Sequence, residues 1–131
     1  MFERLTPYQS HARAVLRIVA GLLLVHSGMV LLFDIPASIF PPPPPETATI
    51  MLIAGILELA GGLLLVIGFL TRPTAVVLAG MMAVAYWTYH APASLYPANN
   101  NGSAAIVFCF IFLYLVFAGP GAWAMDNRGR G

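Results

Sequence analysis

Apolar residues fall in four long blocks, Ile18 to Phe33, Ala48 to Leu70, Thr74 to Tyr89 and Ala104 to Ala118, separated by short polar or proline-rich breaks. A bilayer core about 30 Å thick takes about 20 helical residues. The second block is long enough by itself; the others reach that length with their flanks. Ala14 to Arg17 extends the first, because an arginine near a helix end can snorkel to the headgroups, and Asn101 to Ser103 begins the fourth. The pattern predicts helices over 14–33, 48–70, 73–90 and 101–118. A segment 1–13 precedes them and a tail 119–131 follows.

The breaks have their own chemistry. Thr71-Arg72-Pro73 reads as a tight turn, with proline in the first turn of the third helix, where its missing N–H costs nothing. Pro41 to Pro45 extends as polyproline II, a stiff strut or lid. Ala91 to Ser103, with Pro92, Pro97 and Asn99 to Gly102, reads as turns. Gly119-Pro120-Gly121 stops the fourth helix, and Trp123 suits an interfacial belt. There is no convincing internal repeat: the similar strings Gly21 to Val25 and Gly62 to Val66 read as low-complexity apolar sequence on helices of opposite direction.

Composition sharpens this into a membrane reading. Of 131 residues, 60% are apolar and 8% charged, against about 25% charged in ordinary soluble chains. Six arginines, five acids and no lysine cannot cover a small soluble domain. The single cysteine, Cys109, excludes a disulfide scaffold and a cysteine-ligated zinc site, and the net charge of +1 gives no reason to expect a nucleic-acid partner.

The arginines then orient the chain. Arg4, Arg13 and Arg17 precede the first helix, Arg72 lies between the second and third, and Arg128 and Arg130 follow the fourth, while both remaining loops hold none. Since arginine is retained on the cytoplasmic side, the expectation is an all-α, integral membrane four-helix bundle with both termini cytoplasmic.

Candidate chemistry lies where the sequence accepts a cost. A carboxyl at mid-bilayer carries a penalty of about 2.5 kcal/mol or more and faces the bundle interior with a partner. Glu58 is such a group. Gly55, Gly61 and Gly62 lie within a turn or so of it, and small residues let another helix approach closely. Tyr86 follows Arg72 by as many positions as Glu58 precedes it, so the two share a depth in an antiparallel hairpin, with His90 one turn beyond Tyr86. Counted from the arginine end Glu58 lies about 7 Å further out than His26, and counted from the outer loop a few ångströms deeper, so the two counts bracket equal depth. The expected intramembrane cluster is His26, Glu58, Tyr86 and His90, with Ser27 and Tyr89 as further candidates. Each has a plainer role too: Glu58 in fixing helix register, the tyrosines in the interfacial belt, His90 in simple solvation, Cys109 and Met81-Met82 in packing. No catalytic residue and no metal ligand is assigned. Haem is disfavoured because His26 and His90 sit at different depths. A quinone is the easier occupant, needing an apolar slot and groups that bond its carbonyls and carry protons.

Arg17 with Gly21 and His26, Glu58 with Gly61-Gly62, Gly68 followed by Thr71-Arg72, His90, and Gly119-Pro120-Gly121 with Asp126 together resemble the DoxX family over about Ala14 to Asp126. The resemblance implies a small bacterial four-helix protein of the inner membrane, some relatives being associated with quinone-linked sulfur oxidation or membrane oxidoreductase complexes. Departures are Ser27, where relatives often carry glycine; Met29 to Leu32, where a lysine is common; and Asn99 to Asn101, where an acid is common. The expected function is a subunit of a quinone-linked membrane oxidoreductase system. The alternative is a non-enzymatic accessory or scaffold protein, assembling in the bilayer with itself or within a larger complex.

Overall fold

The computed structural model describes residues 1–128, so Arg130, one of the arginines that orient the chain, lies outside the described residues. The described residues are all-helical in their regular structure, 77% helix. A 3-10 segment, Phe2–Tyr8, leads into α1, Gln9–Phe33; a 3-10 turn, Pro45–Thr47, leads into α2, Ala48–Ile67. Then come α3, Thr71–Ala85, a π-helical turn Tyr86–His90, the short α4, Pro97–Asn100, and α5, Ser103–Ala118. A final 3-10 turn spans Met125–Asn127. Two continuous segments, Phe2–Phe33 and Pro45–Ile67, are long and apolar enough to cross a membrane, and Ser103–Ala118 is a shorter apolar helix.

The helices associate as two close pairs, α1 with α2 and α3 with α5; α2 and α3 touch more narrowly. Leu65, Leu78, Phe112 and Leu115 are almost wholly enclosed between them. Outward, Leu22, Ile53, Ile56, Val76, Phe110 and Phe117 are each more than half exposed. So large a share of bare aliphatic surface belongs to a chain whose solvent is hydrocarbon.

The connection between α2 and α3 lies earlier than the expected Thr71-Arg72-Pro73. Gly68 adopts φ +70°, its N–H bonding the Leu65 carbonyl at 3.2 Å while the Phe69 N–H bonds Leu64 at 3.0 Å. That pair of bonds is the Schellman stop, which favours glycine because a side chain strains the left-handed conformation. Thus α2 ends at Ile67, short of Leu70, and Thr71 and Arg72 become the first residues of α3 with Pro73 behind them. Leu70 is also left-handed, φ +52°, at a cost of about 1 kcal/mol, and its N–H is held by the Asp126 carboxylate at 2.8 Å. At the other end of α3 the Ala91 N–H reaches back to the Tyr86 carbonyl at 2.8 Å. This five-residue step closes the π turn.

Candidate functional site

Glu58 is set by how α1 meets α2. Between apolar helices in lipid there is little hydrophobic drive to associate, so contact depends on close approach of backbones. Glycines spaced seven apart supply it on both helices, Gly21 and Gly28 on one and Gly55 and Gly62 on the other. A Cβ on Gly21 would lie 2.8 Å from the Gly62 carbonyl oxygen, and one on Gly28 would lie 2.9 Å from that of Gly55. The two similar strings of the sequence meet here reciprocally: Gly21 rests against Val66 and Gly62 against Val25. On the far flank of α2, Gly61 accepts Leu78 of α3.

Glu58 falls between two of these contacts, Val25 on Gly62 and Gly28 on Gly55 and Leu59. Ser27 lies in the same interval of α1, and its side chain is close enough to the Glu58 carboxyl to interact with it. Glu58 is only 9% exposed, and its Oε2 is buried without a hydrogen-bond partner among the described residues. A buried acceptor left open is costly and calls for an explanation.

The other expected members are distributed differently. His26 shares the depth of Glu58 but is exposed. Gly21, Leu24 and Gly28 occupy the inward stripe of α1, and a residue two positions from Leu24 lies on the opposite side of a 3.6-residue helix. Tyr86 and His90 do come together, their rings stacked at 6.3 Å, but they are engaged by the following loop. The Tyr86 hydroxyl donates to the Leu95 carbonyl at 2.8 Å and receives the Asn100 amide at 3.3 Å. His90 Nδ1 is 2.9 Å from the Asn100 carbonyl. Equal depth does not decide which neighbour a side chain faces, and α3 packs chiefly on α5. Tyr89 is exposed beside them. The quartet is therefore divided into Glu58 with Ser27, Tyr86 with His90, and His26 alone on the outer face of α1.

Five further residues gain their roles only from the fold. Asn100, 7% exposed, belongs to a stretch that reads merely as turns; it also donates to the Ser94 carbonyl at 2.7 Å and accepts from the Gly102 N–H at 2.8 Å. Arg17, expected to snorkel, is instead fully buried. Its Nη1 donates to the Leu65 and Val66 carbonyls at 2.6 and 3.0 Å, its Nε to Pro120 at 2.8 Å, and its Nη2 to Ala122 and Trp123 at 2.9 and 3.2 Å. The last carbonyls of α2 have no partners inside their own helix, and a cation suits that end of the helix dipole. Arg13 and Arg72 do the same for α5, donating to Ala118, and to Val116 and Phe117. Asp126 closes the knot by accepting from the Leu70 and Thr71 N–H groups at 2.8 and 2.9 Å. The sequence signal for Asp126 is faint, a lone acid after the Gly-Pro-Gly stop.

Comparison with known proteins agrees with the sequence resemblance. Residues 12–91 match the DoxX family model. The chain is also 33% identical over 129 residues to an uncharacterized protein of Haemophilus influenzae, with 96% of each chain covered. No solved structure matches.

Proposed function

Because the chain belongs to the DoxX family of membrane proteins, we propose that it is a subunit of a quinone-linked oxidoreductase system of the bacterial inner membrane. In this reading α1, α2, α3 with its π turn, and α5 cross the bilayer, and both termini are cytoplasmic. The arginine knot supports that orientation, since Arg13, Arg17 and Arg72 gather at one end of the molecule and arginine favours the inner side.

The observation that carries the reading is Glu58, a buried carboxyl with one oxygen open. A group of this kind holds a proton or passes it to a neighbour, and Ser27 lies beside it. A quinone supplies carbonyl oxygens that take up protons as it is reduced, and Glu58 is the side chain suited to serve it. His26 faces outward from the opposite side of α1 and takes no part in this exchange. Tyr86 and His90 hold the outer loop in place.

Mass spectrometry of lipids extracted from gently purified protein is expected to find quinone well above its level in the source membrane, and less of it with Glu58→Gln. Quinone at background, with retention unchanged in Glu58→Gln, refutes the reading. One observation favours the accessory or scaffold alternative: an imidazole facing hydrocarbon is relieved by a partner helix. Under that reading His26→Ala lowers co-purification of a partner or a second copy and Glu58→Gln leaves turnover of the complex unchanged.

A further inference from the structure

Where α2 and α3 diverge from their connection they leave an apolar groove of about 270 Å³, lined by Leu57, Ala60, Gly61 and Leu64 on one side and Val77 and Leu78 on the other. Among the described residues Thr74 is the one polar side chain on its wall. At its arginine-knot end, Leu70 and Pro73 are shared with a second hollow of about 200 Å³, lined also by Thr71, Arg72, Pro120 and Asp126. An oily trough thus continues directly into a polar, charged one.

The charge at the polar end is unevenly committed. The N-terminus of α3 is already capped by Asp126, and Asp126 also interacts electrostatically with the buried Arg17. Arg72 is exposed and engages the α5 carbonyls through Nη1 only, leaving Nε and Nη2 without an acceptor among the described residues. A guanidinium with open donors is a strong phosphate ligand. A hydrocarbon trough below a phosphate-binding cation is complementary to an amphiphile with an anionic head, and basic pockets between membrane helices at the cytoplasmic surface take such lipids. A quinone headgroup fits poorly here, because its carbonyls find only Thr74 along the groove.

We propose that the inner end of the α2–α3 cleft binds an anionic phospholipid, with an acyl chain between Ala60 and Val77 and its phosphate on Arg72. The site rests on the membrane reading but not on Glu58, which lies outside both hollows.

The test is native mass spectrometry of the full chain in detergent, titrated with phosphatidylglycerol or with phosphatidylcholine carrying the same acyl chains. One arginine at a membrane surface is worth a preference of about fivefold for the anionic lipid. The wild type is expected to show it, Arg72→Gln to lose it, and Arg72→Lys, which keeps the charge, to retain most of it. Val77→Trp, which fills the groove from an exposed position, is expected to weaken both lipids. Equal binding of the two lipids by the wild type overturns the proposal. So does a preference that survives Arg72→Gln, full binding by Val77→Trp, or displacement of the lipid by glycerol phosphate at equal concentration, which would show that phosphate alone is recognised. If Arg72→Gln does not purify folded, Arg72→Lys and Val77→Trp decide. The same spectra report bound quinone separately, so loss of quinone with the lipid preference intact counts against the Glu58 reading alone.

Discussion

Gly21 and Gly62 oppose each other so closely that a Cβ on Gly62 would stand 2.7 Å from the Gly21 carbonyl oxygen. The two nearest obstructing atoms, that oxygen and the Val25 nitrogen, are backbone, so neither helix can yield locally. Gly62→Ala is expected to push α1 and α2 apart at a cost of about 1–3 kcal/mol, as overpacking does. Gly80→Ala is the matched control. A Cβ there meets nothing within 4 Å, and removing glycine from the body of a helix is worth up to about 1 kcal/mol. Thermal unfolding in detergent should move the two variants in opposite directions.

Arg17 joins five carbonyls from two distant parts of the chain. Lysine keeps the charge but cannot reproduce the planar fork. Arg17→Lys is therefore expected to fall well short of the wild type, and Arg17→Ala to cost about 3 kcal/mol or more, the range for breaking a buried charged network. Folded yield on size-exclusion chromatography is the readout, and near wild-type behaviour of Arg17→Lys would show that charge alone is needed.

Asp126 holds the left-handed Leu70 and the first N–H of α3. Asp126→Ala is expected to cost about 1 kcal/mol, the ordinary worth of a helix cap, and to raise the rate of proteolytic cleavage near Trp123. Leu70→Gly in that background should recover part of the loss, because glycine adopts φ +52° without strain.

Tyr86 and Glu58 have separate partners, so they are expected to act independently. Tyr86→Phe removes the bonds to Leu95 and Asn100 and should cost about 1 kcal/mol. Quinone retention is expected to be unchanged by it. A double-mutant cycle with Glu58→Gln should give an interaction energy within about 0.5 kcal/mol of zero. A larger coupling would restore the single cluster inferred from depth.

The helices are legible in the sequence because apolar block length and the arginine-bearing breaks are properties of short stretches of chain. Their ends are legible only in part. Gly68 sits inside an apolar block, and only its left-handed backbone reveals it as the stop that moves the connection ahead of Thr71-Arg72-Pro73. The glycines beside Glu58 stand out, but the matching spacing of Gly21 and Gly28 acquires meaning only once α1 is laid on α2, where it fixes the register. Depth along a helix follows from counting only within brackets, and it is the glycine contacts that bring His26 and Glu58 to one level; facing depends on which neighbour a helix chooses. That choice between α2 and α5 as the main partner of α3 rests on contacts far apart in the chain. For the same reason Arg17, whose acceptors lie at Leu65 and beyond Gly119, looks in the sequence like an ordinary flanking charge.

The bonds of Arg17 also impose an order on biogenesis. Those to Leu65 and Val66 become available once α1 and α2 have paired. Those to Pro120, Ala122 and Trp123 wait until the segment beyond α5 has been made. Until then the guanidinium has only two of its five carbonyl acceptors, and the α1–α2 pair precedes the complete fold. The segment that follows α5 is the latch.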